Sequence, residues 1–227
     1  MKQSIKILLS GLAVSLVALS SCQKYEVKNS ANQVGISKVT FYPEVSTTGD
    51  RFVAVPQGQA YTDPGAKATV NGADVKYTTS MAISASTAPG VYVINYDATN
   101  SDGFSASDFR IVTVIPSSAL ADPVVVANDF SGTYLRGATG VTSTWKKVGT
   151  GVYAVENPGG AATGVGLYAI VTNFSGTTIS MPVQNSPYYG GQVSTESAVY
   201  SVGPPATYHW IFHASGYGTG VRTFVKQ

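Results

Sequence analysis

Along most of this chain the apolar residues alternate at a period of two instead of recurring at three and four, the pattern of strands with one buried face. Twenty-four glycines and 11 prolines interrupt that alternation at short intervals, so no long helix is expected. Gly90–Thr99 reads Gly-Val-Tyr-Val-Ile-Asn-Tyr-Asp-Ala-Thr and puts Tyr92, Ile94 and Tyr96 on one face. Asn100-Ser101-Asp102-Gly103 then supplies a tight turn, Asp-Gly being a usual source of positive φ. On the return, Phe109, Ile111 and Thr113 share one face, and Arg110, Val112 and Val114 share the other. A hairpin closing a small antiparallel domain is expected.

Pro116-Ser117-Ser118 and Asp122-Pro123 bracket a linker of breaker residues over 116–123. Beyond it, residues 124–227 hold eight charges: Arg136, Lys146, Lys147, Arg222 and Lys226 against Asp129, Glu156 and Glu196. Both tryptophans lie there too. Strands are expected at 132–136, 143–148, 151–156, 166–172, 177–181, 198–202, 207–213 and 221–225. Their spacing predicts a second antiparallel β domain, a meander closing into a barrel or a sandwich. The fold class is therefore all-β, in two domains.

The first 21 residues differ in kind. Lys2 and Lys6 precede an apolar run of about a dozen residues from Ile7 to Leu19, the charged-then-apolar order of a secretory signal. Leu19-Ser20-Ser21-Cys22 resembles the bacterial lipoprotein signal. That resemblance implies cleavage before Cys22, the only cysteine in the chain, and a diacylglyceryl group on its thiol. Acyl chains anchor firmly when two or three act together, so the membrane is an expected partner. Residues 22–35 form a polar tether that holds the first domain roughly 20 Å from the lipid. Gln23-Lys24-Tyr25-Glu26 partly resembles the signal that sends outer-membrane lipoproteins outward. The cell surface is the expected location, with the periplasmic leaflet as the alternative.

Charge excludes one partner class. All 12 acidic residues follow Ser21, and removal of Lys2 and Lys6 leaves 12 basic residues against them. A chain of zero net charge has no electrostatic footprint for a phosphate backbone, so no nucleic acid is expected.

Over residues 36–115 the motifs Tyr61-Thr62-Asp63-Pro64-Gly65-Ala66, Pro89-Gly90-Val91-Tyr92, Tyr96 with Gly103, and Arg110-Ile111-Val112-Thr113-Val114 occur in order. They resemble the immunoglobulin-like repeat of bacterial surface proteins. The resemblance implies a seven-stranded sandwich used as a spacer or adhesion module, without chemistry of its own. Phe130-Ser131-Gly132-Thr133-Tyr134 faintly resembles the first strand of lipocalin-like barrels. The two halves together resemble two-domain lipoproteins that accompany glycan-uptake systems.

Catalytic and metal readings are weak. His209 and His213 would lie roughly 13 Å apart on a strand at about 3.3 Å per residue, too far for one ion. No metal and no cofactor is expected. Glycoside hydrolysis needs two facing carboxylates; the second domain offers Asp129, Glu156 and Glu196, of which Glu156 and Glu196 could meet as any two acids could, and no nucleophile motif is present. Asp97, Asn100 and Asp102 serve the hairpin turn better than a calcium ion. No enzymatic activity is expected.

The remaining signal is aromatic. Ser186-Pro187-Tyr188-Tyr189-Gly190-Gly191 and Ser215-Gly216-Tyr217-Gly218 place three tyrosines in loops. Tyr188, Tyr189 and Tyr217 are the candidate ligand residues, since sugar rings pack on flat aromatic faces. The competing reading has Tyr188 and Tyr189 folding back to plug one end of the β domain. The function expected is a membrane-anchored, non-catalytic protein whose C-terminal domain binds an extracellular polysaccharide or an outer-membrane protein partner. The alternatives are a lipocalin-like carrier of a small apolar ligand and a structural subunit of an outer-membrane complex.

Overall fold

In the computed structural model, described for residues 33, 34 and 37–227, strand makes up about 51% and helix about 7%. The leader, Cys22 and most of the tether lie outside the described residues. β1 (Gln33–Val34) and β2 (Ser37–Lys38) form an antiparallel pair by themselves. From Tyr42 to Gln227 both β halves belong to one compact unit.

The first half is a sandwich. One sheet takes β3 (Pro43–Thr47), β5 (Ala66–Val70) and β6 (Ala73–Asp74). The other takes β4 (Phe52–Pro56), β7 (Thr78–Thr79), β8 (Gly90–Thr99) and β9 (Ser105–Ile115), in the order β4-β9-β8-β7. The hairpin expected from the alternation is β8 with β9, and Asn100 Oδ1 accepts from the Asp102 and Phe104 amides to form its turn. One pairing departs from the antiparallel expectation: β4 runs parallel to β9. β3 and β4 lie in different sheets, so the Thr-Gly-Asp turn between them crosses the sandwich and makes no hairpin.

Three motif residues separated by up to 47 positions meet inside this sandwich. Tyr96 Oη donates to Asp63 Oδ1 and Oδ2 at 2.8 and 2.7 Å, and Arg110 Nε reaches Asp63 Oδ1 at 3.1 Å and Tyr96 Oη at 3.0 Å. The guanidinium of Arg110 also donates to the Asp50 carbonyl and, at 2.5 Å, to the Thr48 carbonyl. Arg110 is 1% exposed, so a carboxylate and a set of acceptors are what make its burial tolerable. Burial pushes the Tyr96 phenol up to about 12, and the Asp63 carboxylate adds to the shift.

The segment expected to link the two halves, 116–123, contains one short helix and the start of a second. Helices span Ser117–Ala121 and Pro123–Ala127. Asp122 is the N-cap of the second, its side chain accepting from the Val124 amide at 2.9 Å, and Pro123 occupies the first turn, where its missing N–H costs nothing. Asp-Pro breaks one element and starts another. Ala119 and Val125 on these helices are buried against the second half.

That half is a nine-stranded antiparallel sheet of β10 (Gly132–Arg136), β11 (Val141–Gly149), β12 (Val152–Glu156), β13 (Tyr168–Ser175), β14 (Thr178–Ser180), β15 (Gln184–Ser186), β16 (Gly191–Ser201), β17 (Thr207–His213) and β18 (Val221–Lys226). Its order is β14-β13-β12-β11-β10-β18-β17-β16-β15, and it curls into a half-barrel. The curl brings its two ends together. The Met181 amide donates to Thr195 Oγ1 at 2.9 Å, and the Gln184 side chain donates to the Ile170 carbonyl at 2.7 Å while accepting from the Ile170 amide at 2.9 Å. A side-chain amide stands in for a strand along this seam. β16 begins earlier than its expected start because a register shift between Glu196 and Val199, with Ser197 at φ 53, breaks the alternation midway.

The concave side is packed with rings: Trp145 stacks on Trp210 at 5.7 Å, Tyr208 on Phe224 at 4.5 Å and Phe130 on Tyr200 at 4.0 Å. The convex side of β12 and β13 is buried as well. Val152, Ala154 and Ile170 pack with Ile111 and Ile115 of the sandwich and with the two short helices. Phe109 and Ile111 thus face the neighbouring half, while Val112 and Val114 face the sandwich core. Gly149 sits where the two halves approach closely, since a Cβ there would collide with the Ala54 side chain.

Candidate functional site

In an antiparallel meander, alternate connections gather at each end. At one mouth of the half-barrel lie the β10–β11 turn, the 157–167 loop, the β15–β16 turn and the 214–220 loop. Asn157-Pro158-Gly159-Gly160 turns inward there. Asn157 is 1% exposed at φ 51, with Nδ2 donating to the Thr142 carbonyl at 3.0 Å and Oδ1 accepting from the Ala161 amide at 3.1 Å. The Pro158 carbonyl accepts from Trp210 Nε1 at 3.0 Å, which ties the turn to the core. Glycine is required at 159 and 160. A Cβ on Gly159 would overlap the Tyr217 ring, and one on Gly160 would overlap Arg136 and Phe224.

The structure separates the three candidate tyrosines. Tyr189 and Tyr217 come together at this mouth, ring centroids 5.9 Å apart, and both rings pack edge-on against Phe212, at 5.5 and 5.0 Å. Burial raises the pKa of the Tyr189 phenol well above that of a free tyrosine. Tyr188, one residue earlier, points the opposite way. Its ring meets Phe109 at 5.1 Å, Tyr168 at 5.4 Å and Phe52 at 6.4 Å, across the contact between sandwich and half-barrel. The turn therefore contributes one ring to the mouth and one to the junction.

Two further mouth residues, Arg136 and Arg222, carry no candidate role in the sequence reading. Arg222 is 7% exposed, stacks over the Tyr217 ring at 5.4 Å, and donates to the Gly218 and Gly220 carbonyls at 3.3 Å. Half-buried Arg136 donates to the Gly159 and Gly160 carbonyls at 3.4 and 3.2 Å. Burial, and the charge of Arg136 beside it, lower the pKa of the Arg222 guanidinium. A signal for both was present in the sequence: Arg222 shares a strand face with Phe224, and Arg136 shares one with Tyr134.

The remaining candidates lie elsewhere. His209 and His213 are on the convex side of β17, alternating with buried Tyr208, Trp210 and Phe212, and His213 Nε2 is 3.3 Å from Glu196 Oε2. Glu156 accepts from the Gly166 amide at 2.8 Å. β12 and β16, which carry the two acids, are not neighbours, and each acid has its own partner. Among the described residues no group of three or more His, Cys, Asp or Glu is placed to hold a metal ion. Beside the junction, strand β8 and the 185–191 turn enclose an open cleft of about 500 Å³ lined by Val91, Val93, Asn95, Asn185 and Pro187.

Residues 45–114 match the family described as bacterial surface protein, Ig-like domain. A crystal structure of a lipoprotein from Bacteroides thetaiotaomicron is similar at 21% identity and a TM-score of 0.42, covering 82% of this chain and 100% of that one. A search of curated proteins finds no match. No helix among the described residues is long and apolar enough to cross a membrane. The matched segment coincides with the sandwich whose motif residues gather around Asp63, so this half of the chain is similar to the Ig-like domain of bacterial surface proteins.

Proposed function

We propose that this protein is a non-catalytic, lipid-anchored surface protein in which the Ig-like domain carries the half-barrel outward, and that the half-barrel's mouth binds an extracellular glycan or a protein partner. The observation that carries this reading is the convergence of Tyr189 and Tyr217 from separate loops onto one mouth, beside two arginines. The surface role is supported by the family match of the sandwich. Anchoring is supported by the residues preceding Cys22, which place an acyl acceptor directly after an apolar leader. The apolar contact between sandwich and half-barrel favours a rigid arm over a hinged pair, because separating the halves would expose Ile111, Ile115 and Ile170. A carrier of apolar ligands is disfavoured by the stacked rings that occupy the concave side.

Calorimetric titration against a panel of neutral and acidic polysaccharides tests the reading. Saturable heat with one glycan is expected, weakened at least ten-fold when Tyr189→Ala and Tyr217→Ala are combined in a variant whose near-ultraviolet dichroism is retained. Silence across the panel removes the glycan and leaves a protein partner, sought by pull-down from outer membranes.

A further inference from the structure

Buried cations in this molecule are of two kinds. Arg110 has a carboxylate, a phenol and backbone carbonyls around it. Arg222 and Arg136 have glycine carbonyls at 3.2–3.4 Å, with the Tyr217 ring against Arg222, and neither has a carboxylate within ion-pair distance among the described residues. The Nε–H groups of both are buried and donate to nothing. The buried hydroxyl of Tyr217 faces that of Tyr189, while the Tyr217 ring lies against Arg222. Two guanidiniums on adjacent strands, with spare donors and no counter-charge, cost free energy in the unliganded protein. An oxyanion offers what they lack, because the guanidinium fork matches its paired oxygens. Half-buried Arg136 adjoins the exposed 137–140 turn, and the 215–220 segment beyond Arg222 is exposed apart from Tyr217, so the pair lies close beneath solvent.

We propose that Arg136 and Arg222 form an oxyanion subsite at this mouth, which accepts a carboxylate or sulfate group carried on a glycan. The inference rests on the reading of the mouth as the ligand site and adds the chemical class: the ligand is acidic. The glycines at 159 and 160 then have a second role, since they leave room for the Tyr217 ring that packs on Arg222 and for the Arg136 side chain.

The test follows melting temperature and tryptophan fluorescence of the purified protein with sodium sulfate, sodium galacturonate and a galacturonate oligomer, ionic strength being held constant with sodium chloride. Trp210 lies in register with Arg222 and reports locally. A saturable response to at least one oxyanion is expected, absent with chloride alone. It should weaken ten-fold or more in both Arg136→Met and Arg222→Met but not in Lys146→Met, which removes an exposed cation of the same half-barrel. A response to galacturonate alone assigns a uronic acid, and a response to sulfate alone assigns a sulfated sugar; either supports the subsite. If Arg222→Met does not fold, Arg222→Lys keeps the charge without the fork and should show the same weakening. A wild-type response equal to that of chloride, or equal responses in wild type and arginine variants, overturns the proposal. Small-anion binding without oligomer binding keeps the oxyanion subsite and removes the glycan. Glycan retention that ignores both arginine substitutions keeps the glycan and overturns the subsite.

Discussion

Arg110 and Arg222 sit at comparable depth, 1% and 7% exposed, on strands of the two halves, yet their surroundings differ in kind. In the Ig-like domain the sequence supplies Asp63 and Tyr96 at fixed places in its motif, and the guanidinium is neutralised within the fold. In the half-barrel the guanidinium finds the Tyr217 ring and neutral carbonyls at long distances, and no carboxylate. Replacing a compensated buried charge leaves a stranded partner, whereas replacing an uncompensated one strands nothing. The first arginine is part of the scaffold. The second is a cost that the proposed oxyanion would offset.

The largest effect expected from this contrast is at Arg110. Arg110→Met leaves Asp63, 20% exposed, against Tyr96 without its cation and should cost about 3 kcal/mol of unfolding free energy, measured by urea denaturation. A loss under about 1 kcal/mol would erase the distinction between the two arginines. In anion-free buffer Arg222→Met should be neutral or stabilising by up to about 2 kcal/mol, because an apolar side chain replaces an unpaired charge beside Tyr217 and Phe224. Destabilisation comparable to that at Arg110 would show that the glycine carbonyls suffice as partners.

The smallest effects are in pH dependence, and they sharpen the picture of the sandwich. Burial pushes the Asp108 carboxyl up, but Arg51 and Thr47 together outweigh it and hold the group well below the usual carboxylate range. A depressed pKa stabilises above the unfolded value of about 3.9, and that contribution is lost as pH falls further. Melting temperature should therefore decline below about pH 4, and Asp108→Asn should flatten this limb. On the alkaline side, Tyr96 and Tyr153 are pushed up to about 12, chiefly by burial. Their contribution is complete below the unfolded value of about 10 and lost as pH rises through 12. Absorbance at the tyrosinate band should rise together with unfolding, and independent titration of these phenols in a folded chain would contradict their burial.

The strands themselves were legible. Thr207–His213 and Gly90–Thr99 follow directly from alternation, because a half-buried strand enforces a two-residue period on its own sequence. Gln184–Ser186 was not, nor was the first half of Gly191–Ser201. Gln184–Ser186 is polar and three residues long, and its first side chain is buried only because the sheet curls and needs an amide at its seam. The Asp122-Pro123 pair carries the same residue types whether it ends a segment or caps a helix, and the packing of Val125 decides which.

Of the site, the sequence determined the ingredients. It placed tyrosines in two glycine-rich loops, put Arg222 on the face of Phe224, and set a lone cysteine after an apolar leader. Tertiary structure decided their assembly. Alternation sends neighbouring residues to opposite sides without saying what lies on either, so only the meander and its contact with the sandwich turn Tyr189 to the mouth and Tyr188 to the junction. The sequence likewise shows that Arg110 and Arg222 occupy inward strand positions. Whether a carboxylate waits there depends on contacts between residues far apart in the chain, and those are formed for Arg110 and absent for Arg222 among the described residues.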